Sequence, residues 1–209
     1  MADIVLHGTK LSGHAHRVEL LLRMLRRDYA FADEPRPARA RPEFLALNPL
    51  GQIPVLRDGG VVLADSNAIL VYLAKRYDAG GTWLPEAPAA AAQVQRWLSI
   101  AAGEIAFGPA LARSIAVWNF PEGAEPARAK AVSERLFRFM QGHLEIRAFL
   151  ATDHPTIADL ACYSYIAAAP EGGIPLAPYP AIQAWLHRVE ALPQFVKMPN
   201  APVPEPAHA

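Results

Sequence analysis

Three short segments carry residue types that can hold an anion or a small polar ligand. The first, GTKLSGHAHRV, places Ser12 directly before a stretch with helical apolar spacing. The first-turn N–H groups of a helix have no intrahelical partner, so they attract negative charge. The Ser12 hydroxyl can serve as a simple N-cap, or it can hold an anion from outside the chain together with the helix dipole. The loop alone leaves both interpretations open.

The second segment is NPLGQIPVL at positions 48–56. A proline within a strand cannot donate to the hydrogen-bond ladder, so Pro54 indicates either an ordinary edge strand or a cis peptide bond. In the cis case the N–H and C=O of Ile53 would turn outward and offer an unpaired backbone edge to a ligand.

The third segment is Asp65-Ser66, which precedes an apolar helical pattern. Either side chain can cap that helix. The same pair at a positive helix end can also bind an amino-acid head group, with the carboxylate on the ligand ammonium and the Ser66 hydroxyl on its carboxylate. Asp-Ser before a helix is common, so the pair alone does not decide between the two.

The elements that position these segments alternate between strand and helix up to about residue 79. Apolar runs predict strands at 3–8, 29–33, 53–57 and 61–64, and the turn Asp58-Gly59-Gly60 joins the last two as a hairpin. Helical spacing predicts helices at 12–26, 43–47 and from 66 to about Tyr77. This order predicts an α/β unit with mixed strand directions.

From residue 80 the sequence changes character. Gly80-Gly81 and the proline-bearing LPEAP form a linker at 80–88, and helices are predicted at 89–118, 125–150, 156–169 and 181–192. The second of these carries an apolar stripe, and the first two should pack antiparallel. The tail 198–209 is proline-rich and is expected to be mobile or to lie along the surface. The stripe consists of Val132, Leu136, Phe139, Met140 and Leu144.

Composition excludes several classes of protein. Twenty basic residues balance twenty acidic ones, so no overall field draws the chain to nucleic acid or to an anionic membrane. No basic leader followed by an apolar stretch opens the chain, and no apolar run reaches roughly 18 residues, so a cytoplasmic location is expected. The single Cys162 excludes a disulfide, and it is expected to be a buried structural thiol. His14 and His16 lack a third ligand nearby, so no metal site is predicted.

Taken together, the three segments occur in an order and at distances that resemble the cytosolic glutathione transferases, in their serine type. The resemblance covers nearly the whole chain and implies a thioredoxin-like amino-terminal domain at 1–79, a linker at 80–88 and an all-helical domain at 89–197. The fold class is therefore α/β plus all-α. Thr156-Ile157-Ala158-Asp159 is similar to the capping segment of that family's core helix.

The resemblance also implies site roles. Ser12 would hydrogen-bond the sulfur of glutathione and favour its thiolate, because only the thiolate is a strong nucleophile. The tyrosine-type members use an early tyrosine instead, and the only early one here, Tyr29, is predicted in the second strand. Asp65 and Ser66 would hold the γ-glutamyl end, and the backbone of Ile53 before Pro54 would pair with the cysteinyl unit.

Other residues of the implied glutathione site lie around these. Gln52 would sit beside the peptide, at a position where many relatives have lysine. Arg39 or Arg41 would reach the glycine carboxylate, and a solvated loop charge is an equal alternative for each. His14 would line the pocket or lie exposed on the first turn.

The implied electrophile pocket lies near Phe107, Arg113 and Trp118, although apolar residues on a long helix are more often core or dimer seam. The expected activity is transfer of glutathione to a hydrophobic electrophile, as in detoxification. Two alternatives stay open: glutathione-dependent reduction of disulfides or peroxides, or isomerisation, on the same site, and a non-catalytic binding or scaffold protein. A homodimer is expected, with no membrane or nucleic-acid partner.

Overall fold

A computed structural model describes residues 3–121 and 123–202. Its first part contains four strands: β1 (Ile4–Gly8), β2 (Ala30–Asp33), β3 (Val55–Asp58) and β4 (Val61–Ala64). Three α-helices accompany them: α1 (Gly13–Met24), α2 (Pro42–Leu47) and α3 (Ser66–Tyr77), with a short 3₁₀ turn at Arg36–Ala40. The predicted order of strands and helices is confirmed, with boundaries that shift by one to two residues at most elements.

The strands form one mixed sheet in the order β2-β1-β3-β4. β1 runs parallel to β2 and antiparallel to β3, and β3 and β4 form the predicted antiparallel hairpin. A parallel pair needs a crossover connection, which α1 supplies between β1 and β2. Gly59 closes the hairpin with a φ of 56°, a conformation that glycine adopts without steric cost.

The register brings the three candidate segments to one edge of this sheet. His7 near the end of β1 lies opposite Val55 at the start of β3, and Val55 lies opposite Ala64 at the end of β4. The loop with Ser12 therefore leaves the sheet beside Pro54, and Asp65 follows next to both. β2 ends at the same edge because it is parallel to β1, so the Arg36–Ala40 turn also begins there.

The second part is helical. It consists of α4 (Pro88–Ile100), a π-helical stretch (Ala101–Ala110), α5 (Leu111–Trp118), α6 (Pro126–Leu144), α7 (Ile157–Ala167), a 3₁₀ turn (Ala169–Gly172) and α8 (Pro180–Glu190). Proline occupies the first turn of α4, α6 and α8, where its missing N–H removes no helical bond.

The core is continuous between the two parts because α1 is covered on both sides. Nine of its twelve residues are buried, including the polar His16, Arg17 and Glu19. α7 lies against α1 with ten of its eleven residues buried, and His16 places its two ring nitrogens 2.9 Å from Ser164 Oγ and 2.8 Å from the Val196 carbonyl. The start of α1 is therefore held by the helical part as well as by the sheet.

The capping prediction for α7 is confirmed. The Thr156 side chain caps the helix while Asp159 Oδ2 accepts the Thr156 N–H at 2.9 Å. Asp159 is fully buried, and its Oδ1 also accepts from Leu150 N and from Trp185 Nε1. Burial raises the pKa of this carboxyl, and the hydrogen bonds from Thr156, Leu150 and Trp185 oppose that rise.

Two helix predictions need correction. The stretch 89–118 is not a regular helix: it widens into a π-helix, because Gly108 has non-helical φ and ψ of −102° and −106° and Pro109 cannot donate a backbone bond. The helix predicted at 125–150 ends at Leu144, and the chain turns so that Leu150 can reach Asp159.

The apolar stripe of α6 is right for three of its five members. Leu136, Met140 and Leu144 are buried, whereas Phe139 is 40% exposed and Phe137 is buried in its place. Phe139 instead stacks on Trp97 from outside, with ring centroids 5.7 Å apart. Hydrophobic spacing identifies the apolar face of α6, but the elements packed against that face determine which of its residues are buried.

Three smaller observations complete the fold. Cys162 is fully buried, as expected, and burial raises the pKa of its thiol. The tail begins packed, since Met198 and Ala201 are buried, and its residues 203–209 lie outside the described part of the chain. Among the described residues, Pro88–Trp118 is long and apolar enough to cross a membrane. Core helices of soluble proteins meet the same length and hydropathy criteria. Trp97 and Ile105 within this stretch are buried against the rest of the chain.

Candidate active site

Ser12 is the N-cap of α1. Its backbone is extended, and the Ala15 N–H donates to its Oγ at 3.3 Å. The side chain is half-buried, and the loop before it is closed by the Ser12 N–H, which donates to the Thr9 carbonyl at 3.1 Å. The serine therefore stands where the positive end of the helix dipole and a hydroxyl can act on the same group.

The start of α3 faces the start of α1. Ser66 is 4% exposed, and its Oγ accepts from Arg17 Nη1 at 3.2 Å and lies 3.4 Å from His14 Nδ1. Burial lowers the pKa of His14 to about 3, and the positive charge of Arg17 adds to this. His14 is therefore neutral at physiological pH. The structure brings Ser66 and His14 together across the facing starts of α3 and α1, two residues along α1 from Ser12.

Arg17 was missed in the sequence analysis. Its guanidinium is 1% exposed and donates to Ser66 Oγ and to Asn67 Oδ1 at 3.0 Å. Among the described residues no carboxylate lies within ion-pair distance of it, and its Nε and Nη2 have no hydrogen-bond partner. Burial lowers its pKa, with the opposing effect of Tyr165, Cys162 and Asp65. The buried positive charge of Arg17 lies behind Ser66, and the carboxylate of a ligand at Ser66 would supply the negative charge that offsets it.

Asp65 caps α3 at the exposed rim of the same region. Its Oδ1 accepts the Ala68 N–H at 2.9 Å. The residue has a φ of 71°, and holding a non-glycine residue there costs about 1 kcal/mol or more. The predicted capping role is confirmed, and Oδ2 is left for another partner because no described hydrogen bond uses it.

The Ile53–Pro54 peptide bond is cis, which decides the alternative left open above. Pro54 is buried and Ile53 is half-buried, whereas Gln52 is exposed. The loop is shaped by Asn48, whose Nδ2 donates to the Gln52 carbonyl at 2.8 Å and whose Oδ1 accepts from Leu50 N at 3.2 Å. Among the described residues no backbone hydrogen bond outside the strands involves Ile53.

Arg39 and Arg41, the two candidates for the glycine carboxylate, differ in what they contact. Arg41 Nη2 lies 3.4 Å from Glu34 Oε2 and its Nε donates to the Ala38 carbonyl, so it serves the loop itself. Arg39 is half-buried and donates only its Nε, to the Glu34 carbonyl at 2.8 Å, among the described contacts. The pKa of Arg39 is lowered by burial and by Arg36, and Asp33, Glu34 and Tyr165 oppose this.

The helical part also reaches this site, through Tyr165 and Arg113. The ring of Tyr165 lies flat against Gly13, where a Cβ would meet Cζ at 2.8 Å and both Cε atoms at 2.9 Å. Its ring meets that of His14 edge-on with centroids 4.9 Å apart. The sequence pattern of α7 marks Tyr165 only as one more buried residue, because a contact across 150 residues leaves no local signal.

Arg113 requires a correction. The resemblance placed the electrophile pocket near Arg113, but Arg113 is 1% exposed, and its Nε donates to Glu171 Oε2 at 2.7 Å. Its Nη1 donates to the Leu11 carbonyl at 2.9 Å, next to Ser12. Packing of α5 against the Ala169–Gly172 turn buries this face, since a Cβ on Gly172 would lie 2.6 Å from Arg113 N. Arg113 is therefore a structural link between the helical part and the Ser12 loop.

Phe107 and Trp118 are exposed, by 66% and 46% respectively. Phe107 lines a cavity of about 600 Å³ between the π-helical stretch and the start of α6. Trp118 lies at the end of α5 with the Arg113 guanidinium 5.0 Å from its ring. The cavity lining contains neither Ser12 nor Trp118, so the structure does not bring these aromatic residues and the serine into one pocket.

Comparisons with known proteins agree with this arrangement. Residues 6–83 match the family model described as glutathione S-transferase, N-terminal domain, and residues 89–193 match the one described as glutathione S-transferase, C-terminal domain. The chain is 33% identical to glutathione S-transferase 3 of Zea mays, over 99% of this chain and 98% of that protein.

Two further relatives are similar over most of the chain. The disulfide-bond oxidoreductase YfcG of Escherichia coli is 30% identical over 86% of this chain and 87% of its own length. A crystal structure of a glutathione S-transferase from Pseudomonas fluorescens superposes with a TM-score of 0.86 at 32% identity, covering 94% of this chain and 99% of that one.

Proposed function

The chain belongs to the glutathione S-transferase family, and on that basis we propose that it binds glutathione across the starts of α1 and α3 and transfers it to a hydrophobic electrophile. The observation that carries the proposal is the position of Ser12: a half-buried hydroxyl on a helix N-terminus, at the sheet edge where β1, β3 and β4 meet. Glutathione is the co-substrate of the family, and its sulfur would lie at Ser12.

The chemistry asked of Ser12 is to favour an anion. A thiol with a pKa near 8.5 is mostly protonated at neutral pH, and lowering that pKa by two units requires about 2.7 kcal/mol of preferential stabilisation of the thiolate. A hydrogen bond to a charged group supplies roughly 1.5–3 kcal/mol, and a helix N-terminus adds up to about 1 kcal/mol. The thiol proton passes to solvent. The thiolate then forms a C–S bond, either as the leaving group departs with its electron pair or as the π pair of an acceptor double bond moves to the neighbouring atom, which takes a proton from solvent.

The remainder of the tripeptide would be held at its two ends. The γ-glutamyl carboxylate would lie at the α3 N-terminus on Ser66, with the buried charge of Arg17 behind it, and its ammonium at Asp65. The outward backbone of Ile53 would pair with the cysteinyl unit, beside Gln52. Arg39, with its two terminal nitrogens free among the described contacts, would reach the glycine carboxylate.

The experiment that tests the proposal is Ser12→Ala. Loss of one hydrogen bond to the thiolate should lower kcat/KM with an aryl halide by about 10- to 150-fold while glutathione affinity changes little, because the hydroxyl matters most to the anion. Ser99→Ala, on the exposed face of α4, is the matched control and should leave both quantities unchanged. Full activity in Ser12→Ala would move the role to Thr9 or to a backbone N–H.

A reductase is the second candidate, and the similarity to an oxidoreductase of disulfide bonds favours it. The same thiolate would attack one sulfur of a disulfide, form a mixed disulfide and release the other sulfur as a thiolate. Isomerisation could use the same thiolate. Assays with an aryl halide, an organic peroxide and a mixed disulfide separate these activities. Glutathione binding in calorimetry without turnover in any of them would make the chain a non-catalytic binding protein.

We also propose three features of its setting. The domain boundary lies at 80–88, between α3 and α4. The electrophile binds against the helical part, where the exposed rings of Phe107 and Trp118 offer apolar surface. The protein works in the cytoplasm as a homodimer. The outer strand β4 exposes the apolar side chains of Val61 and Val62, which a second copy would cover. Sedimentation at micromolar concentration tests the dimer.

A further inference from the structure

A second cavity lies at the opposite end of α1 from Ser12. It has a volume of about 620 Å³ and a mainly polar lining. A helix of twelve residues is about 18 Å long, so the length of α1 separates this cavity from the candidate active site. We call it the arginine cavity, and its lining consists of Arg23, Arg26, Arg27, Asp28, Tyr29 and Gln194.

The lining carries positive charge that the chain does not neutralise. Three arginines and one aspartate give it a formal charge of +2, although the whole chain has a net charge of zero. Among the described residues, no carboxylate lies within ion-pair distance of any of these three guanidinium groups. Glu19 accepts the Tyr29 hydroxyl at 2.7 Å, but its charge is paired with Lys10, also at 2.7 Å.

The three arginine side chains do not cap α1. The helix ends in a Schellman motif, in which the Arg27 N–H donates to the Leu22 carbonyl at 2.8 Å and the Arg26 N–H donates to the Arg23 carbonyl at 2.9 Å. These carbonyls are therefore satisfied by the backbone. A positive charge also offsets the dipole at a helix C-terminus, but Arg23 in the last turn already supplies one. The charges of Arg26 and Arg27 need a different explanation.

The backbone of the lining is held in a conformation that favours glycine. Only four non-glycine residues have a positive φ among those that the structure describes, and two of them line this cavity: Arg26 at 52° and Gln194 at 67°. Arg26 occupies the position of the Schellman motif that is usually glycine, where any side chain lowers stability. Strained residues of this kind cluster at ligand-binding sites.

The walls of the arginine cavity are fixed to one another. Arg23 Nε donates to the Gln194 carbonyl at 3.2 Å, and His16 Nε2 lies 2.8 Å from the Val196 carbonyl, so the chain after α8 is tied to α1 at two points. The Arg27 guanidinium lies over the ring of Tyr77, 4.4 Å from its centroid. Arg23 keeps its two terminal nitrogens, and the other two arginines keep all their N–H donors, without a partner among the described hydrogen bonds.

We propose that the arginine cavity binds a small molecule that carries two or three adjacent phosphate groups. A guanidinium group presents paired N–H donors that match two oxygens of one phosphate, so several arginines around one space suit a chain of phosphates. The net charge of +2 requires a ligand with at least two negative charges. A volume of about 620 Å³ lies within the usual range of small-molecule sites and leaves room for a nucleoside on the phosphates. This inference does not depend on the chemistry of Ser12.

Calorimetric titration with tripolyphosphate at low ionic strength tests the proposal, because salt screens exposed charges. We expect saturable binding of one tripolyphosphate per chain, and at least tenfold weaker binding of orthophosphate, which spans fewer of the arginines. Equal affinity for the two anions would overturn the proposed ligand class. A parallel titration with ATP identifies the source of the phosphates. Tighter binding of ATP indicates a nucleotide, equal affinity indicates recognition of the phosphate chain alone, and either result supports the site.

Arg26→Gly and Gln194→Gly form a matched pair of variants. Both replace a residue of positive φ in the lining by glycine, so both should raise the thermal midpoint by about 2–4 °C. Only Arg26→Gly removes a charge, and it should weaken tripolyphosphate binding about tenfold or more, while Gln194→Gly leaves it nearly unchanged. Arg138→Gln, an exposed arginine on α6, controls for the net charge and should also bind as the wild type does.

Three results would overturn the inference. The first is wild-type affinity in Arg26→Gly. The second is an equal loss of affinity in Arg138→Gln, which would mean that the anion is attracted only by the overall charge. The third is displacement of tripolyphosphate by excess glutathione, which would place the anion at the start of α1 instead. If Arg26→Gly does not fold, Arg23→Gln/Arg27→Gln removes two charges without changing the Schellman motif and should weaken binding at least as much.

Discussion

Replacing Arg17 by methionine should separate binding from stability. The guanidinium is 1% exposed and is held by two neutral oxygens, those of Ser66 and Asn67, with no ion pair among the described residues. Taking a charge out of water costs several kcal/mol even after relaxation, and neutral hydrogen bonds recover only part of that. A methionine of similar length fills the space without this cost. We therefore expect the free protein to keep its unfolding free energy or gain about 1–2 kcal/mol.

Glutathione binding should change in the opposite direction. The γ-glutamyl carboxylate on Ser66 would lose the charge behind it, and a hydrogen bond to a charged group contributes about 2 kcal/mol. This corresponds to a dissociation constant about 30-fold higher. Isothermal calorimetry measures the affinity, and thermal unfolding with and without glutathione measures stability and its gain on binding.

Arg113→Met is the matched control for that substitution. Arg113 is buried to the same extent, but its Nε is paired with Glu171 Oε2 at 2.7 Å. Breaking a buried pair leaves one charge uncompensated, so this variant should lose about 3 kcal/mol of stability. If Arg17→Met loses as much stability as Arg113→Met and binds glutathione as tightly as the wild type, Arg17 is a structural residue and the reasoning is refuted.

The remaining predictions concern Gly13 and His14. Gly13→Ala should destabilise the protein by about 1–3 kcal/mol and lower kcat/KM, because the new Cβ would overlap Tyr165. Gly142→Ala, whose Cβ would have nothing within 4 Å, should stabilise it by about 0.5–1 kcal/mol. Thermal or urea unfolding measures both, and equal effects would contradict the contact between Gly13 and Tyr165. The pKa of His14 is lowered to about 3, so below its ordinary value of 6.5 the unfolded chain binds a proton that the folded chain does not. Stability should therefore fall as pH drops from 6.5, by about 2 kcal/mol at pH 5, and urea unfolding of His14→Gln should lack that part of the pH dependence; an unchanged profile would show that His14 is accessible to protons.

Local pattern was enough for most of the fold. Apolar runs and turn residues predicted the β3–β4 hairpin, with the bounds of β4 at 61–64 as observed. The segment from Thr156 to Asp159, which resembles the family's capping segment, forms the expected capping box. These features depend on neighbours within about four residues, so the local sequence is enough to predict them. The irregular helix 88–118 was less predictable, because Gly108 and Pro109 mark a disturbance but not its form.

The candidate site also has features that the local sequence predicts and features that depend on the fold. Ser12, the cis Pro54 segment and the Asp65-Ser66 cap could be picked out because each belongs to one loop with its own turn and helix-end chemistry. Whether they meet depended on the register of β1, β3 and β4, which a sequence implies only through the fold.

Only the tertiary structure showed what Arg17, Arg113 and Tyr165 contact. Helical spacing marks Arg17 as lying on a buried face but cannot say that no carboxylate faces it, and it cannot tell that Arg113 turns inward to Glu171 and Leu11. Tyr165 reaches Gly13 across more than 150 residues of chain. Local propensity depends on adjacent residues, whereas the partner of a buried charge is determined by how distant helices pack.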